Sequence, residues 1–383
     1  MTCAELPPRL TFEEPDSFAA FTLRERLPRI VDSVAGASRA APRAARLAVL
    51  RSSLAGGPLP SALSAAAPDR AFWNTFLQAQ RGAAWRDLPF LEAEFLFYAV
   101  LLDAVDYASD PARDPFAEIK GKALTSARTN FARAALQAGA LQTWDVAALR
   151  AAVGWSLTGN AADLSQFATA AAPQRVLIDD LAAFQQDLSA QREGTIDLLL
   201  DNAGTELIGD LVLIDYLLRV LPRVKLRVSV KPVPMFVSDA TRVDWRAAID
   251  LLCGDPSPEI ATWGRSIVGY ERARRLELQD DAFWGRPIHF AEMPAPLQTQ
   301  LSGSIALILK GDLNYRRYVQ DRRWPLESPS ASHRIPNLPP TLALRVMKSE
   351  LAVGLSTSTI EALRSSEPDW LYNGRSSLIQ YFR

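Results

Sequence analysis

The segment at residues 195–218, TIDLLLDNAGTELIGDLVLIDYLL, constrains the fold more than any other part of this sequence. Its first part, residues 196–200, is a short apolar run with one aspartate, which is typical of a buried parallel strand. Residues 201–206 then combine two carboxylates, an amide, a hydroxyl group and a glycine. Apolar residues return at helical spacing from 207 to 218. This order predicts a strand, a polar turn and a helix, the unit from which open α/β sheets are built.

Three later strands are predicted, and a polar or charged cluster follows each of them. The first begins at Leu226 and turns at Pro232, and a helical pattern starts after Asp239. The other two span residues 304–310 and 341–347. Parallel strands of a doubly wound sheet place their carboxyl ends at one edge. We therefore expect all these clusters to meet in the crevice where such sheets bind ligands.

The first part of the chain predicts helices. Residues 1–165 carry apolar side chains at helical spacing, and aromatic residues are frequent between 70 and 107. Glu92 and Glu94 interrupt one apolar helical stretch, so one of the two carboxyl groups has to face a buried or ligand-lined surface, and we favour Glu94. Helical patterning extends from 123 to 181. The predicted organisation is a helical N-terminal domain at residues 1–165 and a Rossmann-like α/β domain with a mostly parallel sheet at 166–383.

Composition excludes several classes of protein. The 383 residues are 48% hydrophobic and 22% charged, which is ordinary for one large core or two domains. A formal net charge of −1 gives no sign of the basic surface that is expected of a nucleic-acid-binding protein. Two cysteines make neither a disulfide framework nor a thiolate metal site, which fits a cytoplasmic protein. No apolar run reaches the roughly 20 residues of a membrane span, and the N-terminus does not resemble a secretion signal.

The predicted clusters carry oxygen donors and cations. Asp201, Asn202 and Asp239 offer only oxygen ligands, and the two histidines of the chain lie outside the clusters, so a zinc site is not expected. Oxygen ligands suit a hard divalent ion such as Mg²⁺ or Mn²⁺. Beside them stand further polar and charged residues that we expect to bind the substrate: Lys310, Asp312, Asn314, Arg316, Arg345 and Lys348. A metal with several cations around an oxygen-rich pocket favours phosphoryl transfer. An aspartate after a strand is also a common helix N-cap, and this structural role stays open for Asp201 taken alone.

Four motifs resemble the DUF89 damage-control phosphatase family, in the subfamily that contains a protein called acidic residue methyltransferase. They stand in the order found in that family: DNAGTEL at 201–207, FVSD at 236–239, KGDLNYR at 310–316 and RVMK at 345–348. The resemblance spans roughly residues 70–383. It implies a helical N-terminal bundle on a three-layer α/β/α sandwich. It also implies metal-dependent hydrolysis of sugar phosphates such as fructose 1-phosphate.

The resemblance further implies roles for individual residues. Asp201, Asn202 and Asp239 correspond to the metal ligands, and the metal implied is manganese, magnesium, nickel or cobalt. The positions around the substrate correspond to Glu206, Asp312–Arg316 and Lys348. The family pattern usually reads Arg-Thr-x-Lys-x-Asp at 345–350, whereas this chain has Val346 and Glu350. The hydrogen bond that the threonine hydroxyl could give to the phosphate or its neighbour is therefore missing.

The leading hypothesis is hydrolysis of a sugar phosphate as control of metabolite damage. Lys348 would neutralise the phosphoryl group, and Asp312, Asn314 and Arg316 would orient the sugar. The nucleophile stays open between Asp201 and a water activated by the metal. One alternative is S-adenosylmethionine-dependent methylation of protein carboxylates, although the chain has no G-x-G turn between a strand and a helix. Another is a non-catalytic sugar-phosphate-binding protein. The expected partner is a small molecule, not nucleic acid or a membrane, and the oligomeric state stays open, a monomer included.

Overall fold

The computed structural model describes residues 6–37, 41–110, 114–160 and 175–383. Within these ranges one sheet contains β1 (Arg175–Asp179), β2 (Glu193–Leu199), β3 (Arg223–Ser229), β4 (Leu276–Gln279), β5 (Ala306–Lys310), β6 (Thr341–Val346) and β7 (Ser376–Phe382). Their order across the sheet is β1-β7-β6-β5-β2-β3-β4. The five strands from β6 to β4 are parallel, whereas β7 is antiparallel to β6 and β1 follows the direction of β7. The predicted, mostly parallel α/β sheet is thus confirmed.

Helices lie over both faces of the sheet and beside the carboxyl ends of its strands. The N-terminal helices are α1 (Phe18–Phe21), α2 (Leu27–Ala37), α3 (Ala41–Ser53), α4 (Arg70–Ala79) and α5 (Phe90–Ala104), with a π-helical turn at Thr22–Arg26 between α1 and α2. The first face of the sheet carries α6 (Ala117–Ala140), α7 (Val146–Asn160), α8 (Leu181–Ala190), α9 (Thr205–Val220), α10 (Arg242–Cys253) and α11 (Pro258–Arg272). The second face carries α12 (Ala295–Ser302), α13 (Gly311–Tyr318) and α14 (Thr357–Ser366).

The two faces have separate apolar cores because alternate residues of a strand point to opposite sides. In β2, Ile196 and Leu198 pack in the core of the first face and Leu199 in the core of the second. In β5, Ile308 and Leu309 are divided in the same way. A sheet with both faces covered by helices is the three-layer sandwich that the resemblance implies, and this expectation is confirmed.

The N-terminal helices form a third apolar core beside the carboxyl ends of the strands. α5 is buried along nearly its whole length, and it packs on the loop that follows β3. The rings of Phe95 and Tyr98 lie 5.0 and 4.8 Å from the ring of Phe236 in that loop. By contrast, α6 and α7 pack against α9 in the core of the first face. The division of the chain near residue 165 stays a prediction, because residues 161–174 lie outside the described part.

The sequence misses three of the strands. The helical pattern proposed for 123–181 is wrong at β1, which pairs with β7 at one edge of the sheet and is largely exposed, so it shows no buried apolar run. β4 is a four-residue strand at the other edge. β7 is buried throughout but carries serine and glutamine. In the described residues no helix is long and apolar enough to cross a membrane.

Candidate active site

Two loops at the carboxyl ends of β2 and β3 are joined by their backbones, and this joins the predicted metal ligands. The amide of Ala240 donates a hydrogen bond to the carbonyl of Asp201 at 2.8 Å. Asn202 and Asp239 face each other in an isolated antiparallel bridge. Because β2 and β3 are parallel neighbours, their polar ends meet at one edge of the sheet, as the sequence predicts.

The loop before Asp239 holds an uncommon backbone conformation. Phe236 and Val237 have φ angles of 49° and 68°, and a β-branched residue such as valine rarely adopts a positive φ. The amide of Ser238 donates to the carbonyl of Phe236 at 2.8 Å, which closes a tight turn. The packing of Phe95 on Phe236 holds this turn from the side of α5. Strained backbone of this kind persists only where its surroundings impose it, and it clusters at functional sites.

Asn202 is fixed by three hydrogen bonds of its side chain. Its amide nitrogen donates to Asp201 Oδ2 at 3.0 Å and to Glu206 Oε2 at 2.8 Å. Its amide oxygen accepts from Ser238 Oγ at 2.6 Å. Both protons of the nitrogen are used, so the direction of the oxygen is set, and a carbonyl oxygen can accept a second interaction.

Asp201 is held by the start of α13. Gly311 has a φ of +83°, and a Cβ atom at this position would lie 1.9 Å from Asp201 Oδ2. Only glycine combines that backbone conformation with room for the carboxyl group. The end of β5 therefore helps to fix the carboxyl that follows β2.

The carboxyl groups form a buried cluster of negative charge. Burial, together with the carboxyls of Glu206 and Asp239, raises the pKa of Asp201 well above its ordinary value. Lys231 supplies a cation: its ammonium lies 3.3 Å from Asp239 Oδ2, and both side chains are almost fully buried. Burial, with the nearby charge of Arg317, lowers the pKa of Lys231. A further cation between the carboxylates would favour their charged forms.

One buried pocket at this edge of the sheet brings together seven of the predicted site residues: Glu94, Asp201, Asn202, Asp239, Asp312, Arg316 and Lys348. Two residues of the family motifs, Phe236 and Leu313, also belong to its wall, and two residues that the sequence does not single out complete it: Phe18 and Arg26. Phe18 and Arg26 come from α1 and the π-helical turn, so the N-terminal segment forms part of the pocket.

Glu94 links two arginines inside the pocket. Arg316 Nη1 donates to Glu94 Oε2 at 2.7 Å, and Arg26 Nη1 donates to Glu94 Oε1 at 3.4 Å. Arg316 Nε also donates to Asp321 Oδ1 at 2.7 Å. Burial raises the pKa of Glu94 in spite of these cations. The two carboxyls thus hold the Arg316 guanidinium at the pocket wall.

The structure does not place four predicted residues on the wall. They are buried behind it: Glu206, Lys310, Asn314 and Arg345. Lys310 Nζ donates to Glu206 Oε1 at 2.7 Å and lies 2.8 Å from Asp210 Oδ1. Since Glu206 in turn accepts from Asn202, Lys310 supports a predicted metal ligand from below.

Arg345 and Asn314 also support the wall. Arg345 Nε donates to Asp312 Oδ1 at 2.7 Å, Nη1 donates to the carbonyl of Leu351 at 2.7 Å, and the guanidinium lies 4.3 Å from the ring centre of Tyr315. Asn314 donates to backbone carbonyls just after β2 and at the end of β5, at 3.2 and 2.8 Å. Arg345 therefore orients the Asp312 carboxylate, and Asn314 ties two strand ends together.

The donor set fits a hard divalent cation. The Asp201 and Asp239 carboxylates and the Asn202 amide oxygen belong to one pocket, and burial together with the neighbouring carboxyls raises the pKa of Asp201. Among the described residues no group of three or more His, Cys, Asp or Glu side chains is placed to hold a metal. A cation here therefore needs Asn202, and it needs oxygen atoms of water or substrate to complete its ligands, as Mg²⁺ commonly does.

Two of the missed residues differ in how far the sequence could reveal them. Lys231 carries a signal, because it stands two residues beyond β3, just as Asp201 stands two residues beyond β2 in a paired register. Arg26 carries none, since it is one of several arginines in a helical segment. Its place in the pocket depends on how that segment packs over the sheet.

Comparisons with known proteins agree over nearly the whole chain. A family model described as the damage-control phosphatase ARMT1-like domain matches residues 22–363. The damage-control phosphatase ARMT1 of Mus musculus is 28% identical over 441 aligned positions, covering 99% of this chain and 99% of that protein. The one from Danio rerio is 27% identical over 446 positions, covering 98% and 97%. The crystal structure of a DUF89 family protein from Pyrococcus horikoshii has the same fold, with a TM-score of 0.51, 13% identity and coverage of 95% of this chain and 98% of that one.

Proposed function

This chain belongs to the damage-control phosphatase ARMT1-like family, and we propose on that premise that it hydrolyses small sugar phosphates, such as fructose 1-phosphate, with the help of a divalent metal ion. The family match supports the phosphatase role in general. One observation carries the finer proposal: the oxygen donors Asp201, Asn202 and Asp239 share one buried pocket with the cations Arg316 and Lys348.

In the proposed reaction the oxygen of a water molecule forms a bond to phosphorus, and the ester bond between phosphorus and the sugar oxygen breaks. The sugar oxygen leaves as an alcohol, with the proton that the water loses. The phosphoryl oxygens carry negative charge throughout, and the Lys348 ammonium at the pocket wall is placed to offset it. A divalent ion held by Asp201, Asn202 and Asp239 would polarise the phosphoryl group and make a bound water more acidic.

The sugar is proposed to contact Asp312 and Arg316. The Asp312 carboxylate is oriented by Arg345 and by the backbone amide of Lys348, which donates to Oδ1 at 3.1 Å. An oriented carboxylate can accept hydrogen bonds from sugar hydroxyl groups, and the guanidinium of Arg316 can donate to them. The proposed substrate is thus a free small molecule, and the proposed location is the cytoplasm.

The test is release of inorganic phosphate from fructose 1-phosphate by the full chain, with Mn²⁺ or Mg²⁺ and after treatment with EDTA. We expect activity only with metal, and a loss of about a hundredfold or more in Asp201→Ala and Asp239→Ala. Full activity after removal of the metal would overturn the proposed metal role. Binding of fructose 1-phosphate without turnover would favour a sugar-phosphate-binding protein.

A matched control is Asp197→Asn, because Asp197 lies in β2, the strand that Asp201 follows. Asp197 is buried and accepts two hydrogen bonds from Arg227, at 2.6 and 2.8 Å, away from the pocket. Its replacement should lower the stability of the protein and leave phosphate release within about twofold of the parent. A similar loss of activity in both variants would mean that Asp201 acts through the fold alone.

A further inference from the structure

The catalytic pocket is too small for a whole sugar phosphate. Its free volume is about 40 Å³, and a water molecule needs roughly 10–15 Å³ on this measure. The pocket therefore has room for a phosphoryl group and the adjoining part of the sugar, which Asp312 and Arg316 would contact. Since Asp201, Asp239 and Lys348 fix where the phosphoryl group binds, the rest of a substrate has to extend beyond the pocket.

A larger cavity lies directly beside the pocket and shares two residues with it. Its free volume is about 430 Å³, and Phe18 and Arg26 belong to the walls of both. Its other walls include Phe21, whose side chain is 42% exposed, and Tyr372. The rings of Phe18 and Tyr372 are stacked at 5.7 Å. The outer cavity thus offers an apolar floor next to the point where an alcohol would leave the phosphoryl group.

The floor of the outer cavity is tied to the C-terminal motif that contains Lys348. The backbone amides of Phe18 and Ala19, in the first turn of α1, favour the charged form of the Glu350 carboxyl, although burial raises its pKa overall. A carboxylate at a helix N-terminus is stabilising, because it satisfies free amide groups. The carboxyl of Glu350 thus lies close to the start of α1, which places the N-terminal segment beside the loop that carries Lys348.

The outer cavity also has an excess of positive charge. Arg24, Arg26 and Arg29 belong to its walls, against one carboxylate, Asp16. Arg24 Nη1 donates to the carbonyl of Pro15 at 2.7 Å, which positions its charge without neutralising it. Arg29 pairs with a glutamate of the same helical segment at 2.9 Å, and both side chains are about half exposed. Exposed pairs of this kind are weak, so a stronger anion can replace the glutamate.

We propose that the outer cavity binds the end of the alcohol that is distant from the transferred phosphoryl group, and favours alcohols that carry a second anionic group there, a phosphate or a carboxylate. Arg24 and Arg29 are the specificity-determining residues, and Phe18 and Arg26 lie between the two cavities. This inference rests on the proposed phosphatase activity, because it names the substrate class of the same site.

The experiment compares fructose 1-phosphate with fructose 1,6-bisphosphate, which differ by one distal phosphate. We expect the double variant Arg24→Gln/Arg29→Gln to lose about tenfold or more in kcat/KM for the bisphosphate, mainly through KM, and to keep its kcat/KM for fructose 1-phosphate within about twofold. Higher salt should weaken the preference of the parent protein, since both arginines are exposed to solvent.

Arg51→Gln is the matched control, because Arg51 is an exposed arginine of α3 that pairs with Asp32 outside both cavities. It should behave like the parent with both substrates. Equal losses for both substrates in the double variant, or no loss for the bisphosphate, would overturn the inference.

Calorimetry with fructose 1,6-bisphosphate separates this inference from the proposed function. If no metal supports turnover, the phosphatase proposal fails, but binding that the double variant loses and Arg51→Gln keeps would still support the outer cavity as an anion site. Binding of equal strength in all three proteins would reject that site whatever the activity.

Discussion

Replacing Lys310 with methionine is the sharpest test of the arrangement behind the pocket wall. The sequence places Lys310 among the substrate-binding residues, whereas the structure buries it between Glu206 and Asp210. A lysine that contacts substrate would affect KM and leave the stability of the fold unchanged. Replacing a lysine that neutralises two buried carboxylates would instead lower the stability of the fold and leave KM unchanged.

The expected loss of stability follows from the burial of the three charges. Lys310 and Asp210 are 0% exposed and Glu206 is 1% exposed, so water cannot solvate the remaining charges when one partner is removed. Removing one partner of a buried ion pair typically costs about 3–5 kcal/mol. For 383 residues the unfolding entropy is about 0.8 kcal/mol per kelvin. The midpoint of thermal unfolding should therefore fall by about 4–6 °C in Lys310→Met.

The deficit of Lys310→Met should shrink as the pH falls. Burial raises the pKa of Asp210 to about 6 even with Lys310 present, and loss of the ammonium raises it further. A carboxyl whose pKa is higher in the folded than in the unfolded state destabilises the fold above that pKa, and protonation relieves the penalty. Melting curves between pH 8 and pH 5 should thus converge with those of the parent, and Lys310→Met/Asp210→Asn should melt above Lys310→Met at pH 8.

Lys348→Met is the matched comparison, since Lys348 belongs to the pocket wall at a neighbouring strand end. We expect it to melt close to the parent and to lose kcat/KM by about a hundredfold or more, as for other preorganised charges. If Lys310→Met melted like the parent and raised KM instead, the buried triad would be wrong and Lys310 would be a substrate ligand.

Three further substitutions test the site. Gly311→Ala should lower kcat/KM by about tenfold or more and the unfolding free energy by about 1–2 kcal/mol, because the Cβ of the alanine would overlap Asp201 Oδ2. Steady-state kinetics and melting curves check the two effects. Without metal, Lys231→Met should unfold at a lower temperature than the parent, and it should bind Mn²⁺ about tenfold more tightly in calorimetry, because the Lys231 ammonium pairs with the Asp239 carboxylate in the parent; unchanged affinity would contradict this. Val346→Thr should shift the melting point with kcat/KM within about twofold, because Val346 is 0% exposed in β6 and outside the pocket; a larger kinetic effect would place it at the site.

The sequence predicted the centre of the sheet and the edge that carries the site. The strand ends at Asp201 and Lys310 could be recognised because buried parallel strands are continuous apolar runs that stop abruptly at polar residues, whereas Asp239 lies in the loop well beyond the end of β3. β1 and β4 could not be recognised, because edge strands are short and partly exposed. Arg26 could not be placed either, since no local pattern shows which side of a helical segment meets a pocket formed by distant residues.

Which strand-end residues reach the pocket depends on the alternation of side chains, and this could have been applied to the sequence. In β5, Ile308 belongs to the core of the first face, so Lys310, two residues later, also points to that face, where it meets α7 and α9. In β6, Ala343 belongs to the core of the second face, so Arg345 points there and stacks on Tyr315.

Charged residues that are still within a strand thus point into the helical layers and support the site from behind. Asp201 and Lys348, two residues beyond β2 and β6, leave the plane of the sheet and reach the pocket. Lys231, two residues beyond β3, pairs with the Asp239 carboxylate behind the pocket wall. The distance from the last paired residue of a strand therefore separates Asp201 and Lys348, which line the pocket, from Lys310 and Arg345, which hold its wall.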